Sequence, residues 1–407
     1  MEFDYAVVWD WLAFAVRWAH VIVGIAWIGS SFYFIALDLG LRRAADMPKG
    51  VHGEEWQVHG GGFYHIEKYL VAPDRLPDHL TWFKWESYST WLTGFAMLAV
   101  LYYAQAELYL VDRTVADLAP WQAIVLSAGS LAAGWVVYDR LCKVTERANM
   151  WALMAVLFVI VVAACWGYMQ LFSSRAAFLH TGALIATWMS GNVFFVIMPN
   201  QREVVADLQA GRTPDPRYGL IAKQRSTHNN YLTLPVLFFM VSNHYPLAFA
   251  TQYNWIIAAL VLLMGVTIRH YFNTKHATGE GPLWTWIATV LLFIAAAWLS
   301  TTPRLDLGEA NAAVPAHVER AMAAPGFAQA AGIVQARCSM CHAAEPVWEG
   351  LHWPPKGVVL EEDEQIAAQA LAVYLHSAIS HAMPPGNLTG MTPRERARVA
   401  DWYRAAR

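Results

Sequence analysis

The chain has 407 residues, 57% of them hydrophobic and 14% charged, with 20 Trp and a formal net charge of −3. Its mean hydropathy is +0.31. An ordinary soluble domain is about 25% charged, so the composition argues against a single soluble globule. It excludes intrinsic disorder and leaves no basic footprint for nucleic acid, which points to a polytopic membrane protein.

A membrane span needs about 20 mostly apolar residues. Stretches free of Asp, Glu, Lys and Arg run over 18–37, 87–106, 118–138, 148–174, 176–201, 226–268 and 281–303. The stretch 226–268 is long enough for two spans and is interrupted by Ser242-Asn243-His244-Tyr245-Pro246, a turn signal. Eight spans result. Met1-Glu2-Phe3-Asp4 lacks a basic n-region, so the first span reads as a retained helix and not a cleaved signal peptide.

Lys and Arg favour cytoplasmic loops. The loops after spans 1, 3, 5 and 7 hold sixteen of them, including Arg42, Arg75, Arg147, Arg202 and Lys275. The alternate loops hold Arg113 and Arg175 only. Both termini are therefore expected outside.

Spans 1–4 resemble a diverged copy of spans 5–8. Gly29-Ser30-Ser31-Phe32-Tyr33-Phe34-Ile35 aligns with Gly191-Asn192-Val193-Phe194-Phe195-Val196-Ile197, and Trp91-Leu92-Thr93 with Tyr231-Leu232-Thr233. His20 and His180 lie upstream of the aligned glycines, two residues out of register. A 4+4 parallel repeat would place a pseudo-twofold axis along the membrane normal; chance similarity among apolar helices is the plain alternative.

After Pro303 the composition changes. Residues 304–316 read as a linker and 317–407 as a small helical domain. It contains Cys338-Ser339-Met340-Cys341-His342, the c-type haem attachment pattern. Two thiols at this spacing can each bond a haem vinyl group, and the adjacent His reaches the iron from one face. Half of a zinc site is the rival reading, but it would want a second ligand pair, and Cys142 and Cys165 lie at or in the membrane. The second axial ligand is expected at Met383, followed by Pro384-Pro385, with His381, His376 and Met391 as rivals. A thioether ligand raises the reduction potential. Because haem is attached outside the bacterial cytoplasm, this mono-haem cytochrome c domain is expected in the periplasm, where the charge count also puts it.

Ionisable residues inside spans are functional candidates by default. His20 and His180 fall in the outer halves of their spans, and Arg17 shares a face with His20 by i,i+3 spacing. One reading is a second, non-covalent haem b held by the two histidines, with Arg17 near a propionate. The other is a pair of hydrogen-bonded core histidines and an Arg that snorkels to the interface. His244 is a third candidate on the outer side.

On the cytoplasmic side, His59-Gly60-Gly61-Gly62-Phe63-Tyr64-His65-Ile66-Glu67 places glycines, which permit close backbone approach, among His, Glu and aromatic residues. It is expected as a loop that follows no strand. Met198-Pro199-Asn200-Gln201-Arg202 and Arg225-Ser226-Thr227-His228-Asn229-Asn230 bring amides, Arg and hydroxyls into helices, which suits a planar anionic ligand. Helix capping and interfacial anchoring are the plain alternative for each residue.

At these segments, and at Tyr231 through Pro235 and Ser242 through Pro246, the sequence resembles the membrane-bound, cytochrome c-linked urate oxidases (urate hydroxylases) of proteobacteria. The resemblance covers nearly the whole chain. It implies an all-α protein: an eight-helix transmembrane domain over 1–303 and a C-terminal cytochrome c domain. It also implies oxidation of urate to 5-hydroxyisourate, with electrons passed to a respiratory acceptor (a cytochrome c or terminal oxidase) and no hydrogen peroxide, at the bacterial inner membrane. Arg225, Asn229, Asn230 and Gln201 are candidates to hold the purine, and His59, His65, Glu67 and His228 to take protons. The hydrocarbon core is about 30 Å thick, so electrons starting in cytoplasmic loops could not reach a periplasmic haem in one step. Either the urate site lies nearer the outside or a relay intervenes. Rival functions are quinol-to-cytochrome electron transfer and a urate transporter or sensor with a redox tail.

Overall fold

A computed structural model describes residues 5–69, 73, 76–145, 150–301, 314–349, 351 and 354–407. Most of the linker, 304–313, lies outside the described residues, as do Arg75 and Arg147.

The chain is mostly helical. Helix α1 (Tyr5–Gly40) is followed by a hairpin of β1 (Val51–His59) and β2 (Gly62–Tyr69), then by α2 (Trp85–Leu98) and a π-helical turn at Ala99–Tyr103. The short α3 (Ala106–Tyr109) leads to α4 (Pro120–Val144) and α5 (Met150–Met169). Helix α6 (Ser174–Gly191) passes through a second π-helical turn, Asn192–Ile197, into α7 (Met198–Gln209). Then come α8 (Pro216–Val241), α9 (Asn254–Thr278) and α10 (Trp284–Ser300). The tail holds α11 (Ala316–Ala323), α12 (Phe327–Cys338), α13 (Asp363–Ala368), α14 (Ala370–Val373) with a π-helical turn at Tyr374–Ile379, and α15 (Pro393–Ala406).

Local chemistry sets the helix starts. Ser173 accepts a hydrogen bond from the Ala176 N–H at the head of α6, and Asp215 caps α8 through the Arg217 N–H. Pro opens α4, α8 and α15, where its missing N–H costs nothing.

Among the described residues, five helical segments are long and apolar enough to cross a membrane: Val7–Gly40, Pro120–Val144, Met150–Met169, Ser174–Gln209 and Asn254–Thr278. Of the other long helices, α10 is 17 residues, and α8 carries Arg225, His228, Asn229 and Asn230 within its length. Large side chains such as Trp11, Trp18, Phe293 and Trp298 stand exposed on α1 and α10, more apolar surface than a soluble monomer shows.

Helix α6 is the hub. It packs against α2, α4, α5 and α8 and buries Phe178, Ile185 and Trp188 completely. The Trp188 ring stacks on Tyr138 of α4 at 4.8 Å, and its indole N–H donates to the Gly134 carbonyl at 2.9 Å. Helix α1 packs on α2 as α6 packs on α8, in keeping with the repeat. The correspondence weakens beyond that: α9 packs closely on α10, whereas α4 and α5 pack on α6. The aligned segments also differ, since Gly29–Ile35 is regular helix and Asn192–Ile197 is π-helical.

The all-α expectation needs one correction. The glycine-containing segment is a β-hairpin with His59 opposite Gly62 and Val58 opposite Phe63. Gly60 and Gly61 form its two-residue turn with φ of 58° and 80°, the left-handed pair that a tight hairpin demands. Its strands dock on the end of α1 through a Lys68–Asp38 ion pair and a Tyr33 hydroxyl donating to Gln57 at 2.7 Å.

The tail packs at the opposite end of the bundle. His317 meets Glu107 of α3 at 3.4 Å, the Arg407 guanidinium lies 5.8 Å from the Tyr5 ring centroid, and Gly357 sits against Pro246.

Candidate functional site

Cys338 closes α12, and Cys341 and His342 follow in the turn after it. Both thiols are free and partly buried. Burial, with Cys341 close by, pushes the Cys338 thiol up to about 11 against the pull of Arg396. The His342 Nδ1–H donates to the Val358 carbonyl at 2.9 Å, which fixes the tautomer and leaves Nε2 as a ligand atom, the arrangement of metal-binding histidines. Cys338, Cys341, His342 and Met383 all line one cavity. The Met383 carbonyl accepts from Arg396 at 2.9 Å, and the same guanidinium donates to Asn387 at 3.0 Å, so a buried cation holds the methionine loop. Of the rivals, Met391 is in the tail's apolar core, His381 lines a separate small pocket, and His376 shares the cavity with Met383. The donors fit a covalently held haem. Among the described residues, no group with metal-ligand spacing includes these cysteines, as a zinc site would need.

That cavity is large, about 2130 Å³, and it does not stop at the tail. It continues into the bundle between α1, α2, α6 and α8, where Arg17, His20, Thr90, Arg175 and His244 face it. His20 Nδ1 lies 3.1 Å from Thr93 Oγ1. Thr93 already donates its own proton to the Ser89 carbonyl at 2.7 Å, so its oxygen accepts from Nδ1–H, and the Nε2 lone pair is left over. Gly94 makes this possible: a Cβ there would meet the His20 ring at 2.9 Å. Arg175 donates to the Asn243 carbonyl at 3.2 Å, while Tyr102 donates to the Asn243 side chain at 2.9 Å. Burial, then the charges of Arg17, Lys356 and Arg175, hold the His244 imidazole below its ordinary value.

His180 is elsewhere. It is fully buried and absent from the cavity wall. Its Nδ1–H donates to the Ala176 carbonyl at 2.7 Å, and Nε2 accepts from Ser127 at 2.6 Å; Ser127 in turn accepts from Tyr103 at 2.7 Å. A ring with both nitrogens engaged has no lone pair for iron. The expected haem b between His20 and His180 therefore does not fit: the two imidazoles share no cavity, and of the two only His20 keeps a lone pair.

A second polar centre lies where α4, α6 and α8 meet. Arg225, 2% exposed by side chain, pairs with Asp139 at 2.8 Å and donates to Asn192 at 3.2 Å. Asn192 donates to Tyr138 at 2.8 Å and to Asn229 at 2.9 Å. His228 Nδ1 meets the Tyr138 hydroxyl at 2.9 Å, while His228 Nε2 and Arg225 Nε have no partner. Asn230 belongs to a separate group with Arg269 and Asn273, at 3.3 and 2.8 Å. Gln201 is exposed on α7. The candidate purine-holding residues are thus not convergent: Asn192 links Arg225 to Asn229, Asn230 bonds to Arg269 and Asn273, and Gln201 is exposed on another helix.

On the hairpin, His65 pairs with Glu54 at 2.7 Å and stacks on Trp56 at 4.2 Å. Glu54, His65 and Glu67 bring three ligand atoms within 4.8 Å of one another, the one candidate cation group found among the described residues. His59 stands exposed at the turn and joins neither centre.

Asp139, Tyr138 and Gly94 are not among the residues that the sequence offers for a site, and Thr93 appears there only in the Trp91-Leu92-Thr93 repeat match. They matter through partners 54 to 90 residues distant, on other helices. Asp139 and Tyr138 carried one available signal, a polar pair at the end of an apolar stretch.

The chain is thus a helical protein with segments able to cross a membrane and a histidine-lined cavity that reaches the Cys-X-X-Cys-His turn. Residues 6–300 match the family described as Urate oxidase N-terminal. The chain belongs to that family. No curated protein and no solved structure matches it.

Proposed function

We propose that the protein is a membrane-bound urate oxidase that converts urate and water to 5-hydroxyisourate and delivers the electrons through a covalent haem c to a respiratory acceptor. One observation carries the reading. A urate-oxidase family region over 6–300 is continued by a unit whose Cys338–Met383 cleft opens into the same cavity as the bundle helices.

Cys338, Cys341, His342 and Met383 would hold haem c, which would supply a one-electron acceptor of raised potential. The chain's own residues do the rest. Val358 aims His342, and Arg396 holds the Met383 loop. The remaining helices complete an eight-span domain, with the N-terminus and the 317–407 domain periplasmic, in the bacterial inner membrane. Sixteen Lys and Arg in alternate loops against two support that orientation.

A quinol-oxidising chain and a urate transporter are the competing readings. Arg17, Arg175 and Lys356 gathered around His244 favour an anion over a neutral quinol. Turnover of the purified full-length protein in air, with a soluble one-electron acceptor, separates them. The proposal expects urate loss matched by acceptor reduction, with no peroxide. Peroxide in step with urate loss, or acceptor reduction by quinol alone, would refute it.

A further inference from the structure

We infer that urate is bound and oxidised inside the bundle cavity beneath the tail, with Arg17 and Arg175 holding the anion and His20 Nε2 taking the proton. The inference rests on the urate-oxidation reading and locates its site.

Size comes first. Small-molecule clefts are typically about 300–1,000 Å³, and this cavity is about 2130 Å³. A haem at the tail end leaves room for a second planar molecule at the bundle end. Chemistry selects which molecule. Arg17, Arg175 and Lys356 line the cavity and their charges act on His244, against Asp10 and Glu349 on the same wall, so the cations outnumber the carboxylates there and draw an anion. Trp9, Trp27, Trp91 and Phe95 offer aromatic faces for a purine.

His342 in the tail and His20 in the bundle both line the cavity with a fixed tautomer and a spare lone pair; His342 is claimed by the haem site, which leaves His20. Thr93 takes its Nδ1–H at 3.1 Å, and Gly94 clears space for its ring. Neither feature is needed for a packing histidine. By contrast His180, fully buried one helix layer away, spends both nitrogens on Ser127 and Ala176.

Distance supports the same place. Val236, Met240 and Val241 of α8 line the cavity, while Arg225 lies about 16 Å further along that helix from Val236, the nearest of them, at 1.5 Å per residue. A site at Arg225 would return the long electron path; a site at Arg17 and His20 removes it, because substrate and the Cys338–Met383 cleft share one cavity.

The step balances. The urate monoanion and one water give neutral 5-hydroxyisourate, two electrons and one proton. The water oxygen bonds to C5 and keeps one hydrogen; His20 Nε2 accepts the other as a proton. The two electrons leave singly through the tail to an external one-electron acceptor.

The test uses full-length, haem-loaded protein and two readouts. Calorimetric titration of urate into dithionite-reduced protein, which can accept no electron, reports binding alone; urate-driven haem reduction under argon reports chemistry. Arg17→Gln should weaken urate binding about tenfold or more. His20→Gln should slow urate-driven reduction by roughly 10²-fold or more with binding changed far less. Thr93→Val, which keeps the imidazole but frees its Nδ1, is the milder companion if His20→Gln does not fold, and should give a smaller loss in the same step. Reduction by ascorbate and the midpoint potential should stay at wild-type values in all three. If Arg17→Gln binds urate normally and only the midpoint potential moves, the cations serve the haem propionates and the inference fails. If His20→Gln and Thr93→Val are both reduced by urate at the wild-type rate, it fails as well. If wild-type protein is not reduced by urate, the urate reading itself falls and takes the site with it.

Discussion

Arg225 of α8 and Asp139 of α4 form an ion pair of 2.8 Å inside the helical bundle, with the guanidinium side chain only 2% exposed. Lys143 supports the carboxylate from its outer side at 2.7 Å, and the Tyr138 ring lies 5.2 Å beneath the cation. The pair ties α4 to α8, and Asn192 adds α6.

Breaking such a pair from one side leaves a buried charge, which costs about 3–5 kcal/mol. Asp139→Ala and Arg225→Ala should each destabilise the folded protein by that order. The double replacement by apolar residues of similar volume should recover much of it. Thermal unfolding in detergent, followed by helical circular dichroism, checks this; additive losses in the double variant would show that the two side chains are not coupled.

The tail has its own electrostatic clasp. Thr392 and Glu395 make a reciprocal cap at the start of α15, and Arg337 pairs with Glu395 at 2.9 Å. Thr392→Ala should cost about 1 kcal/mol. The Thr392 N–H and then Arg337 hold the Glu395 carboxyl below the ordinary carboxylate value. A lowered folded-state value stabilises above the unfolded one and is lost as pH falls through the folded one. The tail should therefore lose stability on acidification below about pH 4, less so in Glu395→Gln. Acid titration of the haem Soret band in both proteins reads this out; identical acid midpoints would contradict it.

Met383 faces the cavity that His342 faces, while Met391 is packed in the tail core at 2% exposure. Met383→Ala should lower the midpoint potential and abolish the thioether-to-iron absorption band near the red edge of the oxidised spectrum, while the covalent haem remains. Met391→Ala should instead destabilise the tail by about 2–5 kcal/mol with the potential little changed. The reverse pattern in redox titration would assign the ligand to Met391.

The hairpin turn needs left-handed backbone at both Gly60 and Gly61. Gly61→Val should disfavour it by about 1–2 kcal/mol and raise proteolytic cleavage between Val51 and Tyr69 in native protein. Unchanged cleavage would mean that the packing on α1 alone holds the hairpin.

Much of the architecture was legible in advance, and the failures have physical reasons. The long apolar runs became helices because burial or lipid satisfies a helix with no outside hydrogen bonds. The break that Ser242-Asn243-His244-Tyr245-Pro246 predicts within 226–268 is present: Ser242–His244 and Pro246–Ala248 are tight turns between α8 and α9. The hairpin was missed although Gly60-Gly61 sat between alternating residues, because the surrounding His, Glu and Tyr do not form an apolar stripe. The His20–His180 pairing was not legible at all. Helical spacing assigns a residue to a face of its own helix but does not say which neighbour that face meets, and Ser127 and Ala176 claim His180. Likewise Arg225, Asn229 and Asn230 are adjacent in sequence, yet α8 turns Asn230 towards Arg269 and Asn273 and the other two towards α4 and α6.

In the proposed reaction urate electrons leave through the tail. The decisive measurement is anaerobic titration of urate into oxidised full-length protein, with the haem absorption followed to completion. Two haems reduced per urate consumed is the predicted result; a haem that stays oxidised under excess urate, yet reduces at once with ascorbate, would contradict it.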